Sequence, residues 1–238
     1  MSASEHRSTG ASGKEPGPGL LAAGLLVLCL ALPAASAAAT QAGTPGRRTG
    51  TDAATAAAWR EEARLGILEG RAADAVVALR RALQAAPEAQ AWYLLGCQLD
   101  RLGRPSEARD AYQEATRLQP DEPRYWRALG EAHEGLRQFA GAILAFQQAA
   151  GLRPSAEAWT ALGRVHLAAG LFWNAVQDYT QALALAPDDL DALAGRVLAS
   201  AGTRNSGAAA AALSRLKAVD PVAADEAYEL AFGRPRKH

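Results

Sequence analysis

His133 and His166 occupy matching places, each seven residues after a tryptophan, Trp126 and Trp159. On neighbouring helices, two imidazoles would supply two of the ligands a metal ion needs. Neither has a third ligand at metal spacing nearby in sequence, and the matching place one period earlier is Leu99. Packing in a core is therefore favoured over a metal site. Cys97 has no histidine on its own helix to activate it, which suits a small wall residue better than a nucleophile. The chain has no glycine-rich phosphate loop and no paired-carboxylate motif. Neither an enzyme, a metal nor a cofactor is expected. Arginines remain, among them Arg60, Arg64, Arg101, Arg127 and Arg164, whose planar forks suit two-pronged pairing with carboxylates. Each could equally solvate a helix face and pair with a local glutamate.

The elements that must position these side chains are written as a repeat. Trp92, Trp126 and Trp159 are each followed by leucine and glycine three and four residues on: Leu95 and Gly96, Leu129 and Gly130, Leu162 and Gly163. That spacing puts all three types on one face of a first helix. A second helix follows, with alanine, aromatic and alanine on one face: Ala108, Tyr112 and Ala115; Ala142, Phe146 and Ala149; Ala175, Tyr179 and Ala182. Small residues allow the backbones to approach, and rings fill the gaps beside them. Gly103 and Gly170 fall where the turn needs a left-handed residue, and Arg137 takes that place in the middle copy at the cost of some strain. Pro120, Pro154 and Pro187 close each second helix.

This pattern closely resembles the tetratricopeptide repeat in period and signature. The resemblance implies an all-α, right-handed superhelix (α-solenoid) of about five helix-turn-helix repeats plus a C-terminal capping helix. The array spans residues 56–222, with copies at 56–88, 89–122, 123–155, 156–189 and 190–222. The first copy keeps Trp59, Ala63, Ala75, Leu79, Ala82 and Pro87 but has Glu62 where leucine is expected, as suits a solvent-facing end. In the fifth, Arg196 and Val197 replace the leucine-glycine pair, and residues 203–207 are expected to make a looser turn. Residues 223–238 read as a capping helix and basic tail, with Ala227, Leu230 and Ala231 able to cover the open edge.

In this family the first helices line a concave groove that receives a peptide or helix. Carried onto this chain, the lining residues one, five, eight and nine places after each tryptophan include Arg60, Arg64, Tyr93, Cys97, Arg101, Arg127, Glu131 and Arg164. The arginines would pair with acidic segments of a protein partner, and Tyr93 would supply an aromatic anchor. One subclass grips the terminal carboxylate of chaperone tails, but Arg64, Leu94 and Ala128 stand where its key polar residues belong. The expectation is a non-enzymatic interaction module, an adaptor in an envelope or secretion-type assembly by analogy. A self-associating scaffold is the alternative, with a metal-binding or enzymatic accessory behind it.

Composition fits that expectation. The 238 residues are 49% hydrophobic, with 25 Lys plus Arg against 25 Asp plus Glu. Balanced charge leaves no footprint for nucleic acid. Residues 1–37 read as a polar leader and a signal peptide with an apolar run at 20–32 and a cleavage site after Ala37. An uncleaved membrane anchor through 39 is the alternative. Residues 38–55 read as a flexible linker. Export to the periplasm or outside the cell is thus expected, or tethering with the array outside the cytoplasm. Membrane contact would come only through the apolar run. After cleavage Cys97 is the one cysteine left, so no internal disulfide is expected.

Overall fold

The computed structural model describes residues 49–233. The expected leader with its signal or anchor, the linker up to residue 48 and the tail from 234 lie outside the described residues. Within them are eleven helices and no strand. They run α1 Thr49–Leu68, α2 Ala72–Ala85, α3 Ala89–Arg101, α4 Pro105–Leu118, α5 Pro123–Gly135, α6 Phe139–Leu152, α7 Ala156–Ala168, α8 Phe172–Leu185, α9 Leu190–Gly202, α10 Ser206–Val219 and α11 Pro221–Phe232. The linker expected through residue 55 is therefore helical from residue 49 onward. Its alanines are strong helix formers, and Asp52 in the first turn complements the helix dipole.

Successive helices pack on one another, and α11 lies against both α9 and α10. Five antiparallel-type pairs and one last helix thus form an all-α solenoid held by neighbour contacts. The internal logic is volume exchange between paired helices. A Cβ on Gly96 would come within 2.4 Å of Tyr112, on Gly130 within 2.9 Å of Phe146, and on Gly163 within 2.9 Å of Tyr179. The end copies fill the same places with Ala63 and Leu79, and with Val197 and Leu213, all buried. What the first helix gains in side chain the second gives up, which keeps core volume near constant. Gly195 adds a contact between copies, where a Cβ would lie 2.2 Å from the Tyr179 ring.

Tight turns set the pairs. Gly70, Gly103 and Gly170 take left-handed φ values of 73°, 69° and 75°. Arg137 and Arg204 do the same at 56° and 59°, a conformation that costs a non-glycine residue about 1–2 kcal/mol. The fifth turn, expected to be looser, is as tight as the others. α9 ends at Gly202, and Asn205 caps α10 by accepting from the Ala208 amide at 3.0 Å.

The last helix starts on a strong cap, because the Asp220 carboxylate accepts from the Val222 and Ala223 amides at 2.8 and 3.1 Å. Its packed face runs through Ala224, Ala227, Tyr228 and Ala231 at helical spacing. Leu230, expected to help cover the edge, lies off that line and is 76% exposed. No helix among the described residues is long and apolar enough to cross a membrane.

Candidate functional site: the face of the first helices

On α3, α5 and α7, the places one and five residues after each tryptophan point away from the buried leucine-glycine face. Tyr93, half-buried, sets its ring 5.8 Å from Tyr112 and 5.2 Å from Tyr125. Burial raises its pKa, against the opposing charges of Arg127 and Arg124, so the hydroxyl stays a neutral donor. Cys97 is half-buried beside Tyr93 and Tyr112, and the Tyr112 hydroxyl donates to Asp100 Oδ2 at 2.7 Å. Arg127 stands 3.7 Å from Glu131 one turn along α5. Desolvation raises the Glu131 carboxyl's pKa, although more than half of its side chain meets solvent and both Arg127 and Arg164 pull the other way. Arg164 reaches from α7 to α5 and forks onto Glu134 with two 2.8 Å bonds. Tyr93, Arg127, Glu131 and Arg164 thus form one strip over three helices.

The remaining expected residues lie towards the N-terminal end. Arg60 pairs with Glu88, and Arg64 forks onto Glu61 at 2.6 and 2.9 Å. Both border a 450 Å³ concavity between α1 and α3, whose apolar lining includes Ile67, Leu79 and Leu94. Arg101 stands apart, 3.4 Å from the Gln98 amide oxygen and beside the α1–α2 turn in a separate concavity with Gly70 and Asp74. Four of the five arginines therefore already hold carboxylates of their own chain. Such exposed pairs contribute little to stability, so a partner's carboxylates can exchange for them at small cost.

The histidines are engaged within their own helix pairs. His133 Nδ1 lies 2.8 Å from Gln138 Oε1, and its ring fills the space beside Gly141. His166 is buried with Nδ1 2.5 Å from Asp178 Oδ2, and burial raises the Asp178 carboxyl's pKa more than the imidazole lowers it. Among the described residues, no group of three or more His, Cys, Asp or Glu could hold a metal. Sequence reasoning missed Asp178, yet a signal existed: the place before the second-helix aromatic is Ala111 and Ala145 in the two previous copies. It also missed a 430 Å³ concavity between α2 and α4, floored by Trp92, Leu95 and Leu99. Two of its rim charges are matched by a 2.7 Å pair between Arg80 and Glu107.

Comparison with known proteins places this geometry. Residues 93–157 match one family model described as tetratricopeptide repeat, and residues 156–189 match a second of the same description. No curated protein matches the chain. Among solved structures it is similar to the MamA protein, with TM-score 0.66 and 19% identity over 77% of this chain and 98% of that one. It is similar to YrrB, a TPR protein with an unusual peptide-binding site, with TM-score 0.66 and 22% identity over 72% and 91% of the two chains. A tetratricopeptide repeat protein from Parabacteroides merdae gives TM-score 0.65 and 16% identity over 74% and 73%.

Proposed function

Residues 93–189 are tetratricopeptide repeats within an all-α superhelix of that fold, and from this premise we propose that the chain is a non-enzymatic module that binds a protein partner. The partner lays a peptide or helix, acidic in part, along the strip of Tyr93, Arg127, Glu131 and Arg164. The observation that carries this reading is the strip itself: a half-buried aromatic flanked by exposed guanidiniums spread over three consecutive first helices. An anchor ring beside exchangeable charges is an arrangement that concentrates binding energy in few residues. YrrB, of similar fold, is described as having a peptide-binding site, which makes the mode available to the architecture. The chain's role is that of an adaptor in an envelope or secretion-type assembly, exported or tethered through the apolar run at residues 20–39.

The test is capture from a detergent extract of the source cells, with wild type compared against an Arg127→Glu, Arg164→Glu double variant. The variant is expected to lose partners that the wild type holds, with helicity unchanged by circular dichroism. An identical set of captured proteins would move binding off this strip.

A second reading, self-association into a scaffold, has its own observation. α11 ends the array with Val222 69%, Leu230 76% and Phe232 42% exposed. Light scattering separates the two readings: a wild-type mass above one chain that falls to one chain in Leu230→Glu favours the scaffold.

A further inference from the structure

Where α5 begins, α6 ends and α7 begins, a 160 Å³ concavity is bordered by Arg124, Arg127 and Arg153, with Ser155 and Glu157 on its α7 side. We infer that this concavity is an oxyanion subsite which takes a side-chain carboxylate of an acidic partner peptide. The inference rests on the interaction-module reading above and gives one end of the strip its ligand chemistry.

The positions of the three arginines are particular to one copy. These arginines stand two before, one after and twenty-seven after Trp126. The same three places hold Ala57, Arg60 and Ala86 around Trp59, and Gln90, Tyr93 and Gln119 around Trp92. Around Trp159 they hold Glu157, Thr160 and Ala186. Three cations converge at one junction of the array only, so the repeat pattern itself does not require them.

Their charges are also incompletely matched. Among the described residues the Arg153 side chain makes no hydrogen bond or ion pair, while its backbone amide donates to the Ala149 carbonyl where α6 ends, and the carboxylate nearest Arg127 is Glu131 at 3.7 Å. Arg124 is engaged, with bonds of 3.0 and 3.3 Å to Glu122, which also caps α5 through the Arg124 amide. The carboxylate in its lining is Glu157, while Glu122 and Glu131 serve Arg124 and Arg127, so Arg153 is the guanidinium left with open donors. Exposed guanidinium forks with open donors are geometric receptors for a planar carboxylate. A carboxylate seated there would continue directly onto Arg127 and the strip.

The probe is a fluorescent, end-capped hexaglutamate peptide titrated by anisotropy into the full chain in detergent, so that every carboxylate offered is a side chain. Saturable binding is expected. It should weaken about tenfold or more in Arg124→Gln, Arg153→Gln, and stay within about twofold in Arg109→Gln, Arg117→Gln, which removes the same charge elsewhere. Equal weakening in both variants would mean diffuse attraction and overturn the subsite. So would the absence of saturation. Tighter binding of a matched phosphoserine peptide than of hexaglutamate would overturn the carboxylate assignment in favour of phosphate. Because neither Arg124 nor Arg153 is altered in the capture experiment, failure here leaves partner capture by the strip standing. Loss of that reading would instead show as unchanged capture by the Arg127 and Arg164 variant.

Discussion

Asp178 sits buried against His166, and burial raises its carboxyl pKa above the ordinary value of 3.8. The folded chain therefore binds this proton more readily than the unfolded chain does. Between the unfolded value and the higher folded value, stability falls as pH rises, and below the unfolded value the contribution is fully present. Asp178→Asn keeps an acceptor for the imidazole but cannot ionise. Urea unfolding from about pH 3 upward should show a flatter pH dependence in this variant than in wild type, and parallel curves would contradict the assignment. Backbone strain gives a second expectation at this scale. Arg204 and Arg137 are both left-handed, but Arg137 lays its guanidinium over the Phe139 ring and Arg204 has no such contact among the described residues. Arg204→Gly should therefore raise stability by about 0.5–1 kcal/mol, and Arg137→Gly by less, as read from denaturant midpoints. The strain at Arg137 was legible in sequence, because glycine stands in the same place in the flanking copies. The strain at Arg204 was not, because a run of small and polar residues concealed the same tight turn.

Helix pairs were the most legible feature, and the reason is volume. Glycine opposite an aromatic, written three times, can be satisfied only by close approach of two helices, and Gly96 against Tyr112 shows how close. The ring is pinned by its hydroxyl bond to Asp100 and cannot swing aside. Gly96→Ala should cost about 1–3 kcal/mol despite alanine's better helix propensity. Gly151→Ala, in α6 with nothing near its missing Cβ, should instead gain about 0.5–1 kcal/mol. Thermal unfolding of the two variants checks the opposed signs. Less legible were features that depend on two copies at once. The Gly195 contact with Tyr179 joins residues of neighbouring copies, and the three-arginine junction faces Glu157 of the next copy. The start of α1 was missed for a different reason: an alanine-rich run reads by composition as a tether, although alanine is also the best helix former.

At the scale of the molecule, five helix pairs and a capped last helix make a surface with distinguishable regions. The first helices carry the tyrosine-arginine strip, the second helices expose Trp173 at 64%, and α11 exposes Leu230. The candidate site was readable in outline, since the family resemblance pointed to Tyr93, Arg127, Glu131 and Arg164. The pairing of Arg164 with Glu134 was not, because an ion pair between copies depends on superhelical geometry that no single repeat encodes, whereas Arg127 and Glu131 meet at ordinary i, i+4 spacing within α5. The central claim is that a partner lies on the strip. Its most direct measurement is photo-crosslinking in the source cells, with benzoylphenylalanine placed in turn at Tyr93, Trp173 and Leu230. A partner-sized adduct is expected from position 93 alone. An adduct from 173, or a two-copy adduct from 230 with none from 93, would contradict that claim.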